Sequence, residues 1–193
     1  PWGGFQIKEI TVPDPAGSGK PLLQVGLLRI RFAWLPLLRG RMVVPEVELR
    51  DPVLVARQTE DRKWALLVPP PPSAEVPVTV PRTGPSGGAG SFKVEIENIR
   101  ISNARASFID YKGRTVLRFE NADAAAKVSD NSACEGNFEF ELVELGRSAK
   151  FRRMKGPFTW DGTVLEAPKI DGTLAGGRVN GNYRMVSRGE KEF

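Results

Sequence analysis

The stretch Glu46-Val47-Glu48-Leu49-Arg50-Asp51-Pro52 decides the fold of this 193-residue chain, because its pattern occurs three times. Val47 and Leu49 are apolar residues two positions apart, a spacing that places both side chains on one face of a β-strand. Asp51 follows, and its short polar side chain is typical of a turn because it can bond the backbone two residues on. The other copies are Ile10, Val12 and Asp14, and Ile99, Ile101 and Asn103. Each copy predicts a strand that ends in a turn.

The rest of the chain extends this strand pattern and contains one short helical signal. Val25 and Leu27 share the two-residue spacing, as do Phe138, Phe140 and Leu142. Later segments, among them residues 116–119 and 122–128, predict separate short strands, and Asp161-Gly162 and Gly176-Gly177 are typical of hairpin turns. The compact, Leu-rich residues 34–39, from Trp34 to Arg39, predict a helical turn before Gly40. The predicted fold class is therefore all-β: a curved antiparallel β-sheet or β-groove built from repeated strand-turn units.

A change of composition divides the chain. Residues 69–91 begin with four consecutive prolines and end in a Gly-rich stretch, so they predict an exposed linker or long loop. A proline-rich ligand for an aromatic-lined groove is the alternative interpretation. We therefore predict two β modules, residues 1–68 and 92–193, on either side of this linker.

The composition argues against an enzyme. Hydrophobic residues make up 40% and charged residues 26% of the chain, which is ordinary for a globular protein, and there is no histidine. Without imidazole the commonest general bases, triads and metal sites are removed. Asp161 and Asp171 are a conceivable glycosidase pair, but Asp161 is better explained by its turn. Cys134 is the single cysteine, which cannot form an internal disulfide or a multi-cysteine metal site. We predict no catalytic residue, no metal and no cofactor.

One basic run is a candidate for contact with anions. Lys150, Arg152, Arg153 and Lys155 alternate with apolar residues in a chain of net charge +5 and pI near 9.6. They predict either a solvated strand protected from aggregation by its charge or contact with a lipid headgroup or a nucleic-acid phosphate. Nucleic acid is not a predicted partner, because no recognisable module and no exposed aromatics accompany the basic groups.

Leu35-Pro36-Leu37-Leu38-Arg39-Gly40-Arg41, followed by Val43 to Leu49 and by Asp51-Pro52-Val53-Leu54, resembles the N-terminal repeat of the AsmA-like family of bacterial envelope proteins. The resemblance covers residues 5–66 best and returns more loosely in residues 92–186, where residues 172–177 are similar to the ending of such repeats. The membrane-spanning helix with which family members commonly begin is not present. The closing turn of the repeat keeps Trp64 and Leu66 but lacks the usual Gly and Asn.

The resemblance implies a relative of bridge-type lipid transporters, whose curved sheet forms a trough with an apolar inner face. We then expect a non-catalytic, periplasmic segment, anchored to the inner membrane through a part of the protein outside this sequence, that binds or conducts phospholipid acyl chains between inner and outer membranes. The expected groove lining is Val25, Leu27, Val47, Leu49, Ile99, Ile101, Phe138, Phe140 and Leu142, with the basic run at anionic headgroups. The same alternation is also typical of a closed core. An envelope scaffold or assembly factor that binds protein partners through sheet edges, and a β-sandwich binding module, remain alternatives.

Overall fold

The computed structural model describes residues 2–14, 21–38, 41–62, 64–65, 93–129 and 133–186. These ranges contain twelve strands and one short helix. In chain order they are β1 Trp2–Pro13, β2 Pro21–Ala33, α1 Trp34–Leu37, β3 Arg41–Arg50, β4 Val53–Gln58, β5 Trp64–Ala65, β6 Lys93–Ile96, β7 Asn98–Ile109, β8 Thr115–Val128, β9 Cys134–Leu145, β10 Ala149–Trp160, β11 Val164–Leu174 and β12 Gly177–Val186.

All of these strands belong to one curved, mixed sheet. β3 and β4 follow one another along a single line, since both pair antiparallel with β2 and parallel with β7. β6 and β7 likewise form one line beside β3, and from β7 to β12 each strand pairs antiparallel with the next. β1 pairs with β2, and β5 with the end of β4. The predicted all-β, curved-sheet class is confirmed, and the parallel contact between β3–β4 and β7 is the feature that the sequence did not predict.

Strands from both predicted modules therefore pair within one sheet. The junction is the parallel pairing of β3 and β7, in which Val47 lies beside Ile99 and Leu49 beside Ile101. The predicted linker, residues 69–91, lies outside the described residues. The predicted helical turn is present as α1, which ends at Leu37.

The Asp or Asn residue of each repeated copy lies where a strand ends or is interrupted. The predicted strand-ending turn is wrong for two of the three copies, those of Asp51 and Asn103. Asp14 does follow the end of β1. Asn103, however, lies inside β7 with a backbone φ of 54°, and Asp51, with φ 52°, separates β3 from β4 without reversing the chain. A left-handed residue inserted into a strand produces a β-bulge, which moves the following side chains to the other face while the strand continues.

These interruptions form a line across the sheet, which we call the kink line: Glu9, Asp51, Asn103, Asn121 and Arg153, all with positive φ. Hydrogen bonds connect its members to neighbouring strands. The Asn103 backbone N–H donates to Asp123 Oδ1 at 2.8 Å, its side-chain amide donates to Asp51, and the Asn121 amide donates to Glu141. The pairing of β7 with β8 shifts register at this level. In every strand of the kink line, the side chains that face one side of the sheet therefore switch from odd to even positions, or the reverse, at the same level.

No second layer packs on the sheet within the described ranges. Extensive contacts join only paired strands, together with α1 and β3. The buried apolar side chains are few and mostly small: Leu22, Val25, Val44, Ala56, Ala122, Val143 and Ala167. The described part is thus a single-layer sheet.

Candidate functional site

Strand pairing aligns apolar residues into rows that cross the sheet, since paired residues on neighbouring strands project from the same face. Two such rows run from β2 to β10 on one side of the kink line. The first contains Ile30, Val47, Ile99, Ala126, Gly136 and Phe158, and the second contains Leu28, Leu49, Ile101, Ala124, Phe138 and Gly156.

The apolar rows continue on the other side of the kink line. One row there runs from β2 to β11 through Leu23, Leu54, Ala106, Phe119, Val143, Phe151 and Leu174. The rings of Phe119 and Phe140 stack with centroids 5.0 Å apart, and Phe140 lies 5.0 Å from Phe138. These contacts span the kink line, so the rows on both sides share one face. We call these rows and their connecting rings the apolar face.

Aromatic contacts extend in both directions along the apolar face. Phe119 meets Phe108 at 6.2 Å, and Phe108 meets Trp64 at 5.7 Å, both edge-to-face. In the other direction Phe138 lies 6.5 Å from Phe158. The rings thus form a continuous series from β5 to β10. The five phenylalanines of this ring series are half-buried, and no described element covers them.

The structure places all but two of the predicted groove-lining residues on this face. Leu27 is one exception, because it pairs with Lys8 of β1 and Arg50 of β3. The predicted shared face of Val25 and Leu27 is therefore wrong. The alternation slips at Gly26, which packs so closely against Asp51 of the kink line that an added Cβ would lie 3.2 Å from the Asp51 Cβ. Leu28 takes the place predicted for Leu27.

Leu142 is the other exception. It pairs with Glu120 of β8 and Arg152 of β10, whereas the next residue, Val143, pairs with Phe119 and is buried. The predicted face shared with Phe140 is wrong for Leu142 because β9 also changes its alternation at the kink line. The residues at this level are Gly26 in β2 and Glu141 in β9, and neither is an Asp or Asn of the kind that identified Asp51 and Asn103.

A shallow groove runs along β8 on the apolar face, and sequence reasoning missed it. Its floor is Ala122, Ala124 and Ala126, each a single methyl group. Ala124 pairs with Ile101 on one side and Phe138 on the other, so larger side chains form walls on both sides at the middle of the groove. Ala122 and Ala126 each have one large neighbour, Phe140 and Ile99, and one small neighbour, Ala104 and Gly136. At the rise of a strand this alanine groove is about 13 Å long. The signal that could have revealed it is the alternation of these alanines with Asp123, Ala125 and Lys127.

The opposite face carries matched charges. Glu48 is only 6% exposed and forms ion pairs with Arg50 at 2.6 Å and Arg29 at 3.0 Å. The hydrogen bond from Arg50 and the nearby positive charges hold the pKa of Glu48 below its usual value, although burial acts in the opposite direction. We call this side the charged face.

A depression of about 970 Å³ lies on the charged face, with Arg31, Glu46, Arg100 and Lys127 among its lining residues. Its arginines are already engaged, since Glu46 lies 3.0 Å from Arg31 and 3.7 Å from Arg100. Lys127 lies in register with Glu135, which also lines the depression, so the positive and negative charges of the lining nearly balance.

The predicted basic run does not act as one cluster. Lys150 is ion-paired with Glu144 at 2.6 Å, and this hydrogen bond lowers the pKa of the Glu144 carboxyl. Lys155 lies in register with Asp171 of β11, and Arg153 belongs to the kink line. Arg152, Arg153 and Lys155 are exposed.

The described residues contain no cluster of metal-ligating side chains. Within these ranges no group of three or more Cys, Asp or Glu side chains converges on a metal position. Asp161 accepts hydrogen bonds from the N–H groups of Val164 and Thr163, at 2.7 and 2.8 Å, which lower the pKa of its carboxyl and fix its turn. Burial raises the pKa of the half-buried Cys134 thiol.

None of the described helical residues forms a segment long and apolar enough to span a bilayer.

Comparison with known proteins identifies no relative: no family model, curated protein or solved structure matches the chain.

Proposed function

We propose that this chain is a non-catalytic lipid-binding segment that holds phospholipid acyl chains on its apolar face. The observation that carries the proposal is the continuous series of apolar rows, joined by aromatic rings, on a sheet that no described element covers. Soluble proteins rarely leave large contiguous apolar surfaces exposed to water, and those that do use them for binding. An acyl chain matches this surface because it needs apolar contact and no specific hydrogen bond.

The energetics favour such a surface as a path for lipid. Moving one methylene from an apolar environment into water costs about 0.8 kcal/mol, so a tail of about fifteen carbons faces a barrier on the order of 12 kcal/mol. Rows that continue across both sides of the kink line would keep the tail in apolar contact along the sheet. This supports conduction as well as binding.

The alanine groove is the proposed seat of an acyl chain. It provides a low floor at Ala124 and higher walls at Ile101 and Phe138, and it lies among the aromatic rings. The depression on the charged face is a poorer candidate, because its arginines are matched by Glu46. We therefore assign lipid to the apolar face, with phospholipid as the partner.

The resemblance to the AsmA-like family extends this proposal to a cellular setting. On that basis we propose a periplasmic protein, attached to the inner membrane by a segment outside this sequence, that moves phospholipid between the two membranes of the envelope. Such a role requires no catalytic residue, metal or cofactor.

A pair of substitutions on adjacent residues of β8 tests the proposal. Ala124→Phe fills the alanine groove, whereas Ala125→Phe adds the same ring to the charged face of the same strand. Displacing about two methylenes from the groove costs about 1.6 kcal/mol, so Ala124→Phe should weaken binding of a fluorescent phospholipid roughly tenfold or more. Ala125→Phe should leave binding unchanged.

Circular dichroism checks that both variants keep the strand content of the wild type. Equal binding by the wild type and Ala124→Phe, or equal loss in both variants, would contradict the proposed seat. Native mass spectrometry after mild extraction gives an independent measurement, because copurifying phospholipid would add mass to the wild type.

The edges of the sheet support a second candidate function, a scaffold that binds partner strands. β1 and β12 are 12 and 10 residues long, and within the described ranges each pairs along one side only. Unpaired strand edges are templates for an added strand. A wild type that takes up no lipid would favour this function. The β-sandwich alternative has no support in the described part, whose strands form a single sheet.

A further inference from the structure

The positive charge of the chain is concentrated at one end of the sheet, beyond the kink line. From β7 to β12 this end comprises residues 104–120, 142–152 and 173–178, which include the β7–β8, β9–β10 and β11–β12 turns. We call these residues the basic end. They contain eight Lys or Arg and three Asp or Glu, a net charge of +5 that equals the formal net charge of the whole chain. The rest of the chain is therefore neutral in sum.

The three carboxylates of the basic end are already paired inside it. Asp110 lies 2.7 Å from Arg114, Glu144 lies 2.6 Å from Lys150, and Glu120 pairs with Arg118. The other five cations are exposed and form no ion pair within the described ranges: Arg105, Lys112, Arg147, Arg152 and Arg178. The basic end therefore offers unpaired positive charge to an anionic partner, unlike the nearly balanced depression on the charged face.

Three of the unpaired cations lie at the hairpin turns where the sheet ends. Lys112 is in the β7–β8 turn, Arg147 is in the β9–β10 turn, and Arg178 is the second residue of β12. Successive hairpins are two strands apart, about 10 Å, so these cations form a row about 20 Å long. A single small anion would touch only one of them. The row instead matches a surface that carries many separate phosphates, as an anionic bilayer does.

The apolar face reaches the same turns. Leu145 pairs with Leu117, which pairs with Phe108 of the aromatic series, and Leu145 is 45% exposed. Tyr111 is 41% exposed, and the Lys112 ammonium lies 5.4 Å from its ring centre. Tyr is enriched where acyl chains meet headgroups, because its ring is apolar and its hydroxyl is polar. Apolar contact beside unpaired cations favours a phospholipid bilayer over a nucleic acid or an acidic peptide, whose recognition does not require an adjoining apolar face.

We propose that the basic end docks on the surface of an anionic phospholipid bilayer with its hairpin turns toward the headgroups. The inference rests on the proposed lipid-binding function, and it adds the place where lipid enters or leaves the apolar face. Salt limits the attraction to about 10 Å at 0.1 M, which corresponds to about three residues of strand. Lys150 and Arg152, near the start of β10, lie within that distance of the turns and add to the attraction.

The test is flotation of the protein with vesicles of phosphatidylcholine and phosphatidylglycerol. Lys112→Gln/Arg147→Gln removes two unpaired cations from the turns. A basic residue at an anionic surface strengthens binding about fivefold, so this variant should lower the partition coefficient at least about tenfold. The matched control is Lys8→Gln/Lys127→Gln, which removes the same charge from exposed lysines on the other side of the kink line. The control should float like the wild type, and circular dichroism should show unchanged strand content in both variants.

Further measurements separate this inference from the proposed function. The Lys112→Gln/Arg147→Gln variant should still bind monomeric fluorescent phospholipid in solution, whereas Ala124→Phe should weaken that binding and still float. A wild type that does not float, that floats equally well with phosphatidylcholine alone, or whose flotation falls equally in both double variants would overturn the docking while leaving acyl-chain binding intact. A wild type that binds polyglutamate or single-stranded DNA but no vesicles would assign the basic end to another partner and would also overturn it.

Discussion

Replacing Asn103 by valine tests whether the kink line is built into the sheet. Asn103 lies inside β7 with φ 54°, a left-handed conformation that Asn tolerates and a β-branched residue strongly disfavours. Its side-chain amide donates to Asp51, and its backbone N–H donates to Asp123. Valine keeps the second bond and loses the first.

The expected loss follows from these two contributions. A left-handed conformation costs an ordinary L-residue about 1–2 kcal/mol. Loss of the side-chain hydrogen bond adds about 0.5–1.5 kcal/mol, so Asn103→Val should lower the free energy of unfolding by about 1.5–3.5 kcal/mol. Asn103→Gly also loses the hydrogen bond but has no steric penalty at positive φ, and it should cost only about 1 kcal/mol.

Urea unfolding measures the difference, with midpoint and slope compared between variants. Ser107→Val is the control, because it places the same side chain at a half-buried position of the same strand that does not have positive φ. It should change the free energy of unfolding by no more than about 0.5 kcal/mol. Equal stability of Asn103→Val and Asn103→Gly would refute the argument, since the backbone would then not be held in the left-handed region.

Three further predictions concern the charged face, a close backbone contact and pH. Glu48→Gln should lower the free energy of unfolding, measured in urea, by about 1.5–3 kcal/mol, because the buried Glu48 carboxylate accepts charged hydrogen bonds. Glu46→Gln, at a more exposed ion pair, should lower it by only about 0.2–1 kcal/mol. Equal losses in the two variants would contradict the role of burial. Gly156→Ala would place a Cβ 2.1 Å from the Lys169 carbonyl oxygen of β11 and should lower the thermal midpoint. Gly113→Ala should lower it less, because Gly113 has φ 78° but open space around the position of an added Cβ. A larger loss in Gly113→Ala would contradict the close packing at Gly156. Asp110, directly after β7, accepts hydrogen bonds from the backbone N–H and side chain of Arg114, which lower the pKa of its carboxyl below 3.8, and the hydrogen bond from Arg50 lowers the pKa of Glu48 below 4.5. The stabilisation by both groups is complete above those values and is lost as pH falls through the lowered ones; a thermal midpoint that rises on acidification would contradict the signs.

The two-residue alternation predicted the strands and most of the apolar face. Their spacing alone predicts that Val47 and Leu49, and likewise Ile99 and Ile101, share one face, and the pairing of β3 with β7 places the two pairs side by side. Turn signals predict that residues 116–119 and 122–128 are separate strands, but they are two halves of β8 on either side of Asn121. Local patterns thus indicate where the alternation changes. Between Ile7 and Ile10 the change predicts a bulge or kink within one strand, and Glu9 of β1 has positive φ there. At Asp51, Asn103 and Asn121 the polar residue predicts a turn, whereas the strand line in fact continues.

The parallel contact between β3–β4 and β7 could not be predicted in the same way. Its partners are about fifty residues apart in sequence, for example Val47 and Ile99. No local spacing specifies which strand lies beside which, and apolar rows of similar composition fit several neighbours. The ion pair of Arg41 with Glu95 and the bond of Asn103 with Asp51 favour this pairing, but they are recognised only once the strands are adjacent.

The kink line explains why a continuous apolar face is possible at all. Several strands place apolar residues three apart at this level, as in Ile7 and Ile10, Ile101 and Ala104, and Phe119 and Ala122. In strictly alternating strands an odd spacing would divide these residues between the two faces. An inserted left-handed residue changes the face once, and the aligned insertions return both halves of the rows to the same side. Glu9 and Arg153 adopt this conformation without the local preference that Asn and Asp have, so their neighbours in the sheet must impose it. The continuity of the proposed lipid path therefore depends on the kink line as a whole.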